Sequence, residues 1–447
     1  MASGCNRHLL TRLLHCSHRN TAMRLMWRTF SSFKFAPCLS ADSKTIVTRK
    51  FAGRKCSVCK SCHSDSAGSS PNTSIDDNCT ETNVDFVRES PRGHLSQKKH
   101  SKGRKKSGQN TDLHIPVLKD EVLSYLGGKS SQRLLDMTFG AGGHTKALLE
   151  SGQGYHIYTL DRDPLAYKIA CELAEQRPGQ ITPLLGRFSE LPALLAAKDV
   201  SFDSLDGALF DLGSSSMQFD QSERGFSLSM DGPLDMRMDA DRLPDQPTAA
   251  DVVNTLDELE LAKIFKKYGE DTRSKKFAHA IVEARSAFGR ITGTKELADI
   301  IQTVSGGAFG HDSLGRYSHP ATKIFQALRI FVNNEMNELN NGIEVVHKFL
   351  KPGGICVAIS FHSLEDRIVK RHFNTVDIDQ KINMSLVQKH RLMSRLADSK
   401  SELDSMVIRK WKRINKKVTM ATDSEVEANP RSRSAKLRAA MKLEIKS

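Results

Sequence analysis

The chain has 447 residues, 38% hydrophobic and 26% charged, which is enough for two domains with sizeable cores. No apolar run approaches the roughly 20 residues that cross a bilayer, so an integral membrane protein is excluded and no membrane partner is predicted. The formal net charge of +14 is uneven: residues 1–110 carry +13, residues 111–373 carry −7 and residues 374–447 carry +8. The excess positive charge lies in the two flanks, where it can serve targeting, contact with solvent or phosphate binding. It does not show that the globular part binds nucleic acid.

The N-terminal flank has two parts. Residues 1–41 contain no Asp or Glu, while their arginines and Lys34 stand among apolar and hydroxyl side chains without a continuous apolar segment. This composition is typical of a mitochondrial transit peptide and not of a secretory signal, so we predict import into the mitochondrial matrix. Residues 42–110 are rich in Ser, Asn, Lys and Gly and show no hydrophobic period, which predicts a disordered basic linker.

Seven of the nine cysteines precede residue 80, which excludes a disulfide framework for the rest of the chain and agrees with a reducing compartment. One group has a spacing that a zinc site or a haem-attachment site would use: Cys56, Cys59, Cys62 and His63. It lacks a second ligand pair at finger spacing and a folded context, so we predict no metal site.

A glycine-rich turn follows the first strand predicted after the linker, in the sequence LLDMTFGAGGHT of residues 134–145. A dinucleotide fingerprint would need a third glycine where Thr145 stands, and the Gly-Lys-Ser/Thr of a P-loop is missing. The next strand, 156–160, ends at Asp161, where a carboxylate can accept hydrogen bonds from ribose hydroxyls. We predict that the turn binds S-adenosylmethionine; a glycine-rich turn in another kind of α/β domain is the alternative.

Strand and helix signals alternate as far as residue 211, in the rhythm of a parallel sheet. Residues 248–304 then predict helices only, beginning with an N-cap at Thr248, and a long helix over 320–349 precedes a buried strand over 355–360. The predicted fold is α/β: a Rossmann-like sheet with an all-helical domain inserted between its fourth and fifth strands. The predicted limits are 111–215 and 321–447 for the two parts of the sheet domain, the second with a basic C-terminal tail, and 216–320 for the insertion.

The fourth strand leads into the sequence DLGSSSMQFD of residues 211–220, with an acid, a glycine and three serines at the edge of the sheet where the transferred methyl group is expected. An exocyclic amine such as cytosine N4 is a poor nucleophile because its lone pair is delocalised into the ring. A carboxylate that accepts its N–H would favour a more reactive geometry, so Asp211 is the candidate catalytic residue. The alternative is a serine-rich turn that caps a helix.

Several polar segments carry the residue types that hold RNA phosphates and stack unpaired bases. The segment before the long helix supplies cations, an aromatic ring and a hydroxyl, the exit of the fifth strand supplies a histidine, and residues 429–438 form a short basic run. The alternatives are a structural histidine and a solvated tail. The RNA-binding candidates are Arg316, Tyr317, His319, His362, Arg431 and Arg433.

Together these blocks resemble the bacterial small-subunit ribosomal RNA cytosine-N4 methyltransferase family, in a mitochondrial form. The matching blocks run from HIPVL at 114–118 through the 136–144 turn, DRDP at 161–164, DLG at 211–213, HPAT at 319–322 and residues 360–371 to the basic run at 429–438. The resemblance implies a class I methyltransferase fold with an inserted RNA-recognition domain, and methylation of a cytidine N4 in the decoding region. Carried over by position, the cofactor contacts are Gly142, Gly143, His144, Asp161, Phe188, Asp211 and Gln218.

The predicted partner is mitochondrial small-subunit rRNA or the assembling small ribosomal subunit. A second hypothesis, from a different class, is a ribosome-assembly factor that binds rRNA and for which methylation is secondary. The glycine turn and the acids at both strand ends are intact, which argues against a protein that has lost its methyltransferase activity. The family does not account for residues 374–418.

Overall fold

The computed structural model describes residues 116–306, 310–311, 317–374 and 409–444. The predicted transit peptide, the predicted linker and the cysteine group near residue 60 lie outside these ranges. Within them, no helix is long and apolar enough to cross a membrane.

The strands are, in chain order, β1 (Arg133–Asp136), β2 (His156–Asp161), β3 (Ile181–Leu185), β4 (Leu205–Asp211), β5 (Gly310–His311), β6 (Tyr317–Ser318), β7 (Leu350–Ser360), β8 (Trp411–Arg413), β9 (Thr419–Met420) and β10 (Lys436–Lys442). The α-helices are α1 (Lys119–Leu126), α2 (Gly143–Ser151), α3 (Pro164–Gln176), α4 (Leu191–Ala196), α5 (Ser216–Asp220), α6 (Ala249–Thr255), α7 (Glu258–Tyr268), α8 (Ser274–Phe288), α9 (Thr294–Val304), α10 (Thr322–Asn333), α11 (Glu335–Phe349), α12 (Ser363–Phe373) and α13 (Asp423–Ala428).

The described residues form one large sheet with the strand order β3-β2-β1-β4-β7-β10-β8, and β9 pairs with β10. The first five of these strands are parallel, and β10 runs antiparallel to β7. The order reverses between β1 and β4, so the carboxyl ends of β1, β2 and β4 meet at one edge, where doubly wound sheets bind ligands. The predicted Rossmann-like α/β sheet is confirmed.

Local sequence explains where these helices begin. The carboxylate of Asp163 accepts the N–H of Leu165 at 3.0 Å, and Pro164 occupies the first helical position of α3. At the start of α6, Thr248 and Asp251 form a capping box in which each side chain accepts the other's backbone N–H at 3.1 Å. Both helix starts are where the sequence predicts them.

The chain between β4 and β7 holds helices α5 to α11 and the short antiparallel pair β5–β6. Buried side chains of α6 to α10 form a hydrophobic core with residues such as Phe226, Leu234 and Met236. Two further cores cover the two faces of the sheet. The insertion therefore has apolar packing of its own beside the sheet.

The single long helix predicted over 320–349 is wrong, because Asn334 divides it into α10 and α11. Asn334 is left-handed, with φ 51° and ψ 33°, a conformation that asparagine tolerates better than most residues. The side-chain Oδ1 of Asn333 accepts the N–H of Met238 at 2.8 Å, and its Nδ2 donates to Met236 O at 2.7 Å, which ties the break to the insertion. The chain then restarts as α11 at Glu335.

The C-terminal basic run is also not the solvated tail that its composition allows. Residues from Lys436 onward form β10, which pairs along β7 from Ser360 to Ile355 and carries β8 on its other side. Leu437, Ala439 and Ala440 are fully buried. The chain end completes the sheet, and the strand predicted over 355–360 begins earlier, at Leu350.

Candidate active site

The carboxylate of Asp136 fixes the glycine turn between β1 and α2 through two hydrogen bonds. Its Oδ1 accepts the N–H of Thr138 at 3.1 Å, and its Oδ2 accepts the hydroxyl of Thr145 at 2.7 Å. Burial raises the pKa of Asp136 to about 6, although both hydrogen bonds oppose the shift. Gly142 caps α2 with φ 78°, and a Cβ there would lie 2.6 Å from the Phe139 ring, so the turn requires glycine at this position.

Asp161 joins the end of β2 to the same turn. Its Oδ2 accepts the N–H of Gly140 at 2.8 Å, and its Oδ1 accepts the N–H of Asp163 at 2.9 Å. Burial raises the pKa of Asp161 to about 6, against the effect of these two hydrogen bonds. The carboxylate that the sequence predicts as the ribose acceptor therefore lies directly beside the glycine turn.

A cavity that is partly open to solvent lies at this edge of the sheet, with about 750 Å³ of empty space that includes open solvent. It is lined by Met137, Thr138, Gly140, Asp161, Arg162, Gly186, Arg187, Phe188, Asp211, Leu212, Gly213, Ser215, Gln218, Met238, Glu335, Met336, Glu338, Leu339 and Glu365. No lysine is among these residues, and several carboxylates accompany the apolar side chains. Apolar walls and hydrogen-bond acceptors with no lysine fit the adenosine and the cationic sulfonium of S-adenosylmethionine better than a nucleotide phosphate.

Asp211 ends β4 at the cavity, with 27% of its side chain exposed. Its Oδ1 has no hydrogen-bond partner within the described part of the chain, and its Oδ2 lies 3.6 Å from His144 Nε2. Burial, then the nearby carboxylates of Asp136 and Glu365, raise the pKa of Asp211 to about 8. Asp211 thus lines the cavity at the strand end where the transferred methyl group is expected.

The other predicted cofactor residues lie in different settings. Phe188 lines the cavity and packs edge-on against Phe210, with ring centroids 5.5 Å apart. Gln218 also lines it, but its amide Nε2 donates to Asp163 Oδ2 at 2.8 Å and its Oε1 accepts Ser215 N–H at 3.2 Å. The three residues from Gly142 to His144 begin α2 and are not among the cavity-lining residues.

Two of the predicted RNA-binding histidines are held inside the fold. The ring of His319 accepts Ala321 N–H at 3.1 Å and lies 3.3 Å from Gln302 Oε1, and burial lowers the pKa of this histidine. His362 is 11% exposed, caps α12 and lies 3.0 Å from the buried carboxylate of Glu365. The imidazole of His362 is used in the N-terminal cap of α12, which is the structural role that the alternative had, and its contact with RNA stays a prediction.

The remaining RNA-binding candidates are Arg316, Tyr317, Arg431 and Arg433. Arg431 and Arg433 are exposed, and Arg431 also contacts Asp220 at 3.2 Å. Tyr317 takes part in the backbone pairing of β6 with β5. Arg316 lies outside the described residues.

Sequence reasoning missed a buried ion pair beside the cavity. Arg329 donates to Glu335 from Nε at 2.8 Å and from Nη2 at 2.9 Å, and its Nη1 donates to Ser214 Oγ at 3.0 Å. An arginine followed six residues later by a glutamate across a helix break has no periodic signal. The sequence feature that could have indicated this ion pair is the charged Arg329 among the apolar residues of α10.

The chain matches the model of the MraW methylase family over residues 111–443. It belongs to this family. It is 52% identical over 342 residues to the 12S rRNA N(4)-cytidine methyltransferase METTL15 of Homo sapiens, covering 74% of this chain and 83% of that protein. It is 41% identical over 327 residues to the ribosomal RNA small subunit methyltransferase H of Methylobacterium nodulans, covering 73% and 89%.

A third relative, the putative receptor-type tyrosine-protein phosphatase mosPTP-1 of Culex quinquefasciatus, is 51% identical over 332 residues, and the match spans only 22% of that protein. As a member of the MraW methylase family the chain is a methyltransferase, and its cofactor is S-adenosylmethionine. The predicted family and activity are confirmed.

Proposed function

We propose that this MraW-family enzyme transfers the methyl group of S-adenosylmethionine to N4 of a cytidine in the decoding region of mitochondrial small-subunit rRNA. The relatives named for 12S rRNA N(4)-cytidine and small-subunit rRNA methylation support this substrate. The observation that carries the chemistry is Asp211, which lines the cavity and whose buried Oδ1 has no hydrogen-bond partner among the described residues. A ring of carboxylate acceptors matches the N4–H2 donor of cytosine and opposes the O4 acceptor of uracil.

The bound cofactor supplies an electrophilic methyl group on a positively charged sulfur. Asp161 would accept hydrogen bonds from the ribose, Phe188 would stack beside the adenine and Gln218 would close the cavity, which all three residues line. Gly142, Gly143 and His144 lie at the start of α2, outside this lining, and would bring the backbone of the glycine turn close to the cofactor. Asp211 would accept an N4–H of the target base and orient the nitrogen lone pair toward the methyl group. As the bond from sulfur to the methyl group breaks and the N4–methyl bond forms, N4 would lose one proton to the Asp211 carboxylate. The target base leaves its stack to reach Asp211, because an exocyclic amine in a paired helix is blocked.

We assign RNA recognition to the insertion, predicted over 216–320, and to the exposed arginines Arg431 and Arg433. Helices α7 and α8 support this assignment because exposed lysines cluster along them, among them Lys266, Lys275 and Lys276. Such lysines bind phosphates and make affinity dependent on salt.

Changing both Lys275 and Lys276 to Ala should weaken RNA binding, because two phosphate contacts are lost. We expect an affinity reduced roughly tenfold and a log–log salt slope reduced by about one to two, measured by fluorescence anisotropy. Lys168→Ala, an exposed lysine on α3, is the matched control and should bind RNA like wild type. Equal affinity and salt slope for the double variant would refute an RNA-binding role for these helices.

We further propose that residues 1–41 direct the protein to the mitochondrial matrix and that it acts during assembly of the small ribosomal subunit. The acid-free, arginine-rich start supports import. Fusing residues 1–41 to a fluorescent protein tests import directly; the fusion should reach the matrix, and a cytosolic signal would contradict the assignment.

The cellular test of the methylation is mass spectrometry of nucleosides from 12S rRNA of cells that lack the protein. We expect N4-methylcytidine at the decoding site to disappear and to return with the wild-type gene. An Asp161→Ala variant separates the alternative function, because an assembly factor with secondary chemistry would restore ribosome assembly without restoring the modification. Full modification in cells without the protein would refute the proposal.

A further inference from the structure

Asp239 is fully buried and receives three arginines at once. Arg162 donates from Nε at 2.9 Å and also from Nη2, and Arg187 donates from Nη2 at 3.0 Å. Arg242 donates to the other carboxylate oxygen, from Nε at 3.2 Å and also from Nη2. We call these four residues, with Glu190, the Asp239 cluster.

The arginines of the Asp239 cluster come from three parts of the chain. Arg162 directly follows β2, Arg187 lies two residues after β3, and Arg242 belongs to the chain after β4, as Asp239 does. Arg242 also pairs with Glu190 at 3.0 Å. The cluster therefore ties the loops that follow β2 and β3 to one buried carboxylate of the insertion.

Additional hydrogen bonds restrict the arginines of the cluster. Arg162 Nη1 donates to the backbone oxygen of Asn333 at 3.0 Å, and Arg187 Nη2 donates to Gln246 Oε1 at 3.0 Å. Burial alone would raise the pKa of Asp239, but the charges and hydrogen bonds of Arg162 and Arg187 outweigh it and hold this pKa at about 2. Asp239 is therefore ionised throughout the physiological range.

Two members of the cluster adjoin residues that the cofactor needs. Arg162 is the next residue after Asp161, and Arg187 immediately precedes Phe188. Both arginines line the cavity, as does Met238 beside Asp239. The positions of the ribose acceptor and of the aromatic ring therefore depend on how these two guanidinium groups are held.

We propose that Asp239 is a positioning residue for the adenosine half of the cofactor, acting through Arg162 and Arg187 on the adjacent Asp161 and Phe188. It rests on the cofactor contacts proposed above for those two residues, but on no assumption about the RNA. Neither the sequence pattern nor the family relatives' names assign Asp239 a role.

The test is binding of S-adenosylhomocysteine to the full-length protein by isothermal titration calorimetry, without RNA. Asp239→Asn should raise the Kd about tenfold, because the neutral amide no longer holds both guanidinium groups. Asp241→Asn is the matched control two residues away: its side chain is 99% exposed, and this variant should bind like wild type. A wild-type Kd for folded Asp239→Asn would overturn the proposal.

Asp239→Asn leaves the buried arginines short of a counter-charge and can prevent folding. Arg242→Gln is the second variant, because Arg242 contacts Asp239 but is not among the cavity-lining residues. Its Kd for S-adenosylhomocysteine should rise about threefold per folded molecule, counted from the titration stoichiometry. An unchanged Kd would overturn the positioning role even if Asp239→Asn does not fold. Failure of the proposed rRNA chemistry would appear separately, as wild type that binds S-adenosylhomocysteine but forms no N4-methylcytidine.

Discussion

At the residue scale, the site depends on carboxylates that burial drives toward the neutral form. The effect is largest for Asp211, whose pKa lies near 8, while Asp136 and Asp161 lie near 6. Asp161 and Asp211 line the cavity, and carboxyl groups with raised pKa values suit a cationic cofactor, because a nearby positive charge favours their ionised forms. The desolvation of these carboxyl groups favours binding of the cationic cofactor, and it lowers the stability of the protein when the cofactor is not bound.

Asp211→Asn should therefore stabilise the protein and inactivate it. The native pKa is above the unfolded value of 3.8, so the native state keeps a proton that the unfolded chain releases, and stability from this group is lost as pH rises from about 4 to 8. At pH 8 we expect a melting temperature at least roughly 2 °C above wild type, with methyl transfer reduced about 10²- to 10⁴-fold. Calorimetry across pH 5–8 and a methyl-transfer assay measure the two effects.

The control for this variant is Asp199→Asn, at an exposed left-handed position that asparagine accepts. It should leave both the melting temperature and the activity unchanged. If Asp211→Asn had the same melting profile against pH as wild type, the raised pKa would be wrong. If it retained full activity, the catalytic assignment would be wrong.

Gly142→Ala tests the cofactor turn against a glycine of similar backbone conformation. Gly142 and Gly179 have φ of 78° and 76°, but only at Gly142 would a Cβ meet a neighbour, the Phe139 ring at 2.6 Å. Both changes cost about 1 kcal/mol of backbone strain. Only Gly142→Ala should also lose binding of S-adenosylhomocysteine by calorimetry; equal affinities in the two variants would contradict the assigned role of the turn.

At the element scale, the C-terminal strand matters more than its basic composition suggests. β10 fills the sheet between β7 and β8, so it supplies backbone hydrogen bonds to both neighbours as well as buried side chains. Lys436 and Arg438, at the start of β10, are half-buried and alternate with the buried residues Leu437 and Ala439. The basic run therefore combines a structural element with the exposed arginines that precede it.

Leu437→Ala should destabilise the protein by about 2–5 kcal/mol, because Leu437 is fully buried in β10 and the change leaves a cavity. Arg433→Ala, four residues earlier and exposed, should change stability by less than about 0.5 kcal/mol. Urea unfolding followed by circular dichroism measures both free energies. Similar small losses in both variants would mean that β10 does not contribute to the core of the sheet.

Local signals explain which parts of the structure were predictable. The caps at Asp163 and Thr248 and the apolar period around them predict helix starts well, because both interactions lie within four residues. The break at Asn334 was missed because the helical period continues on both sides of it. β10 was missed because a central strand with lysine and arginine between apolar residues has the composition of a tail.

The candidate site divides in the same way. Asp161 and Asp211 were predictable because they end strands, and the carboxyl ends of the strands share one edge of the sheet. Asp239 was not, because its partners Arg162 and Arg187 are 77 and 52 residues away in the chain. Contacts of this range depend on the fold and leave no periodic pattern in the sequence.

At the scale of the whole molecule, the insertion and the sheet meet at the cofactor. Met238 of the insertion and Asp161 of the sheet line one cavity, and Asp239 and Asn333 join the two parts through hydrogen bonds. A substrate bound by the insertion would therefore lie over the cofactor edge of the sheet. If the insertion recognises RNA as proposed, this arrangement brings RNA recognition and methyl transfer together in one cleft.

The most direct test of the proposed function uses the purified protein, S-adenosylmethionine with a deuterated methyl group, and a transcript of the 12S rRNA decoding region. Nucleosides are then separated and identified by mass spectrometry. The proposal predicts deuterated N4-methylcytidine with wild type and almost none with Asp211→Asn. Label on another atom of cytidine, label on another nucleoside, or no label from cofactor-binding wild type would contradict it.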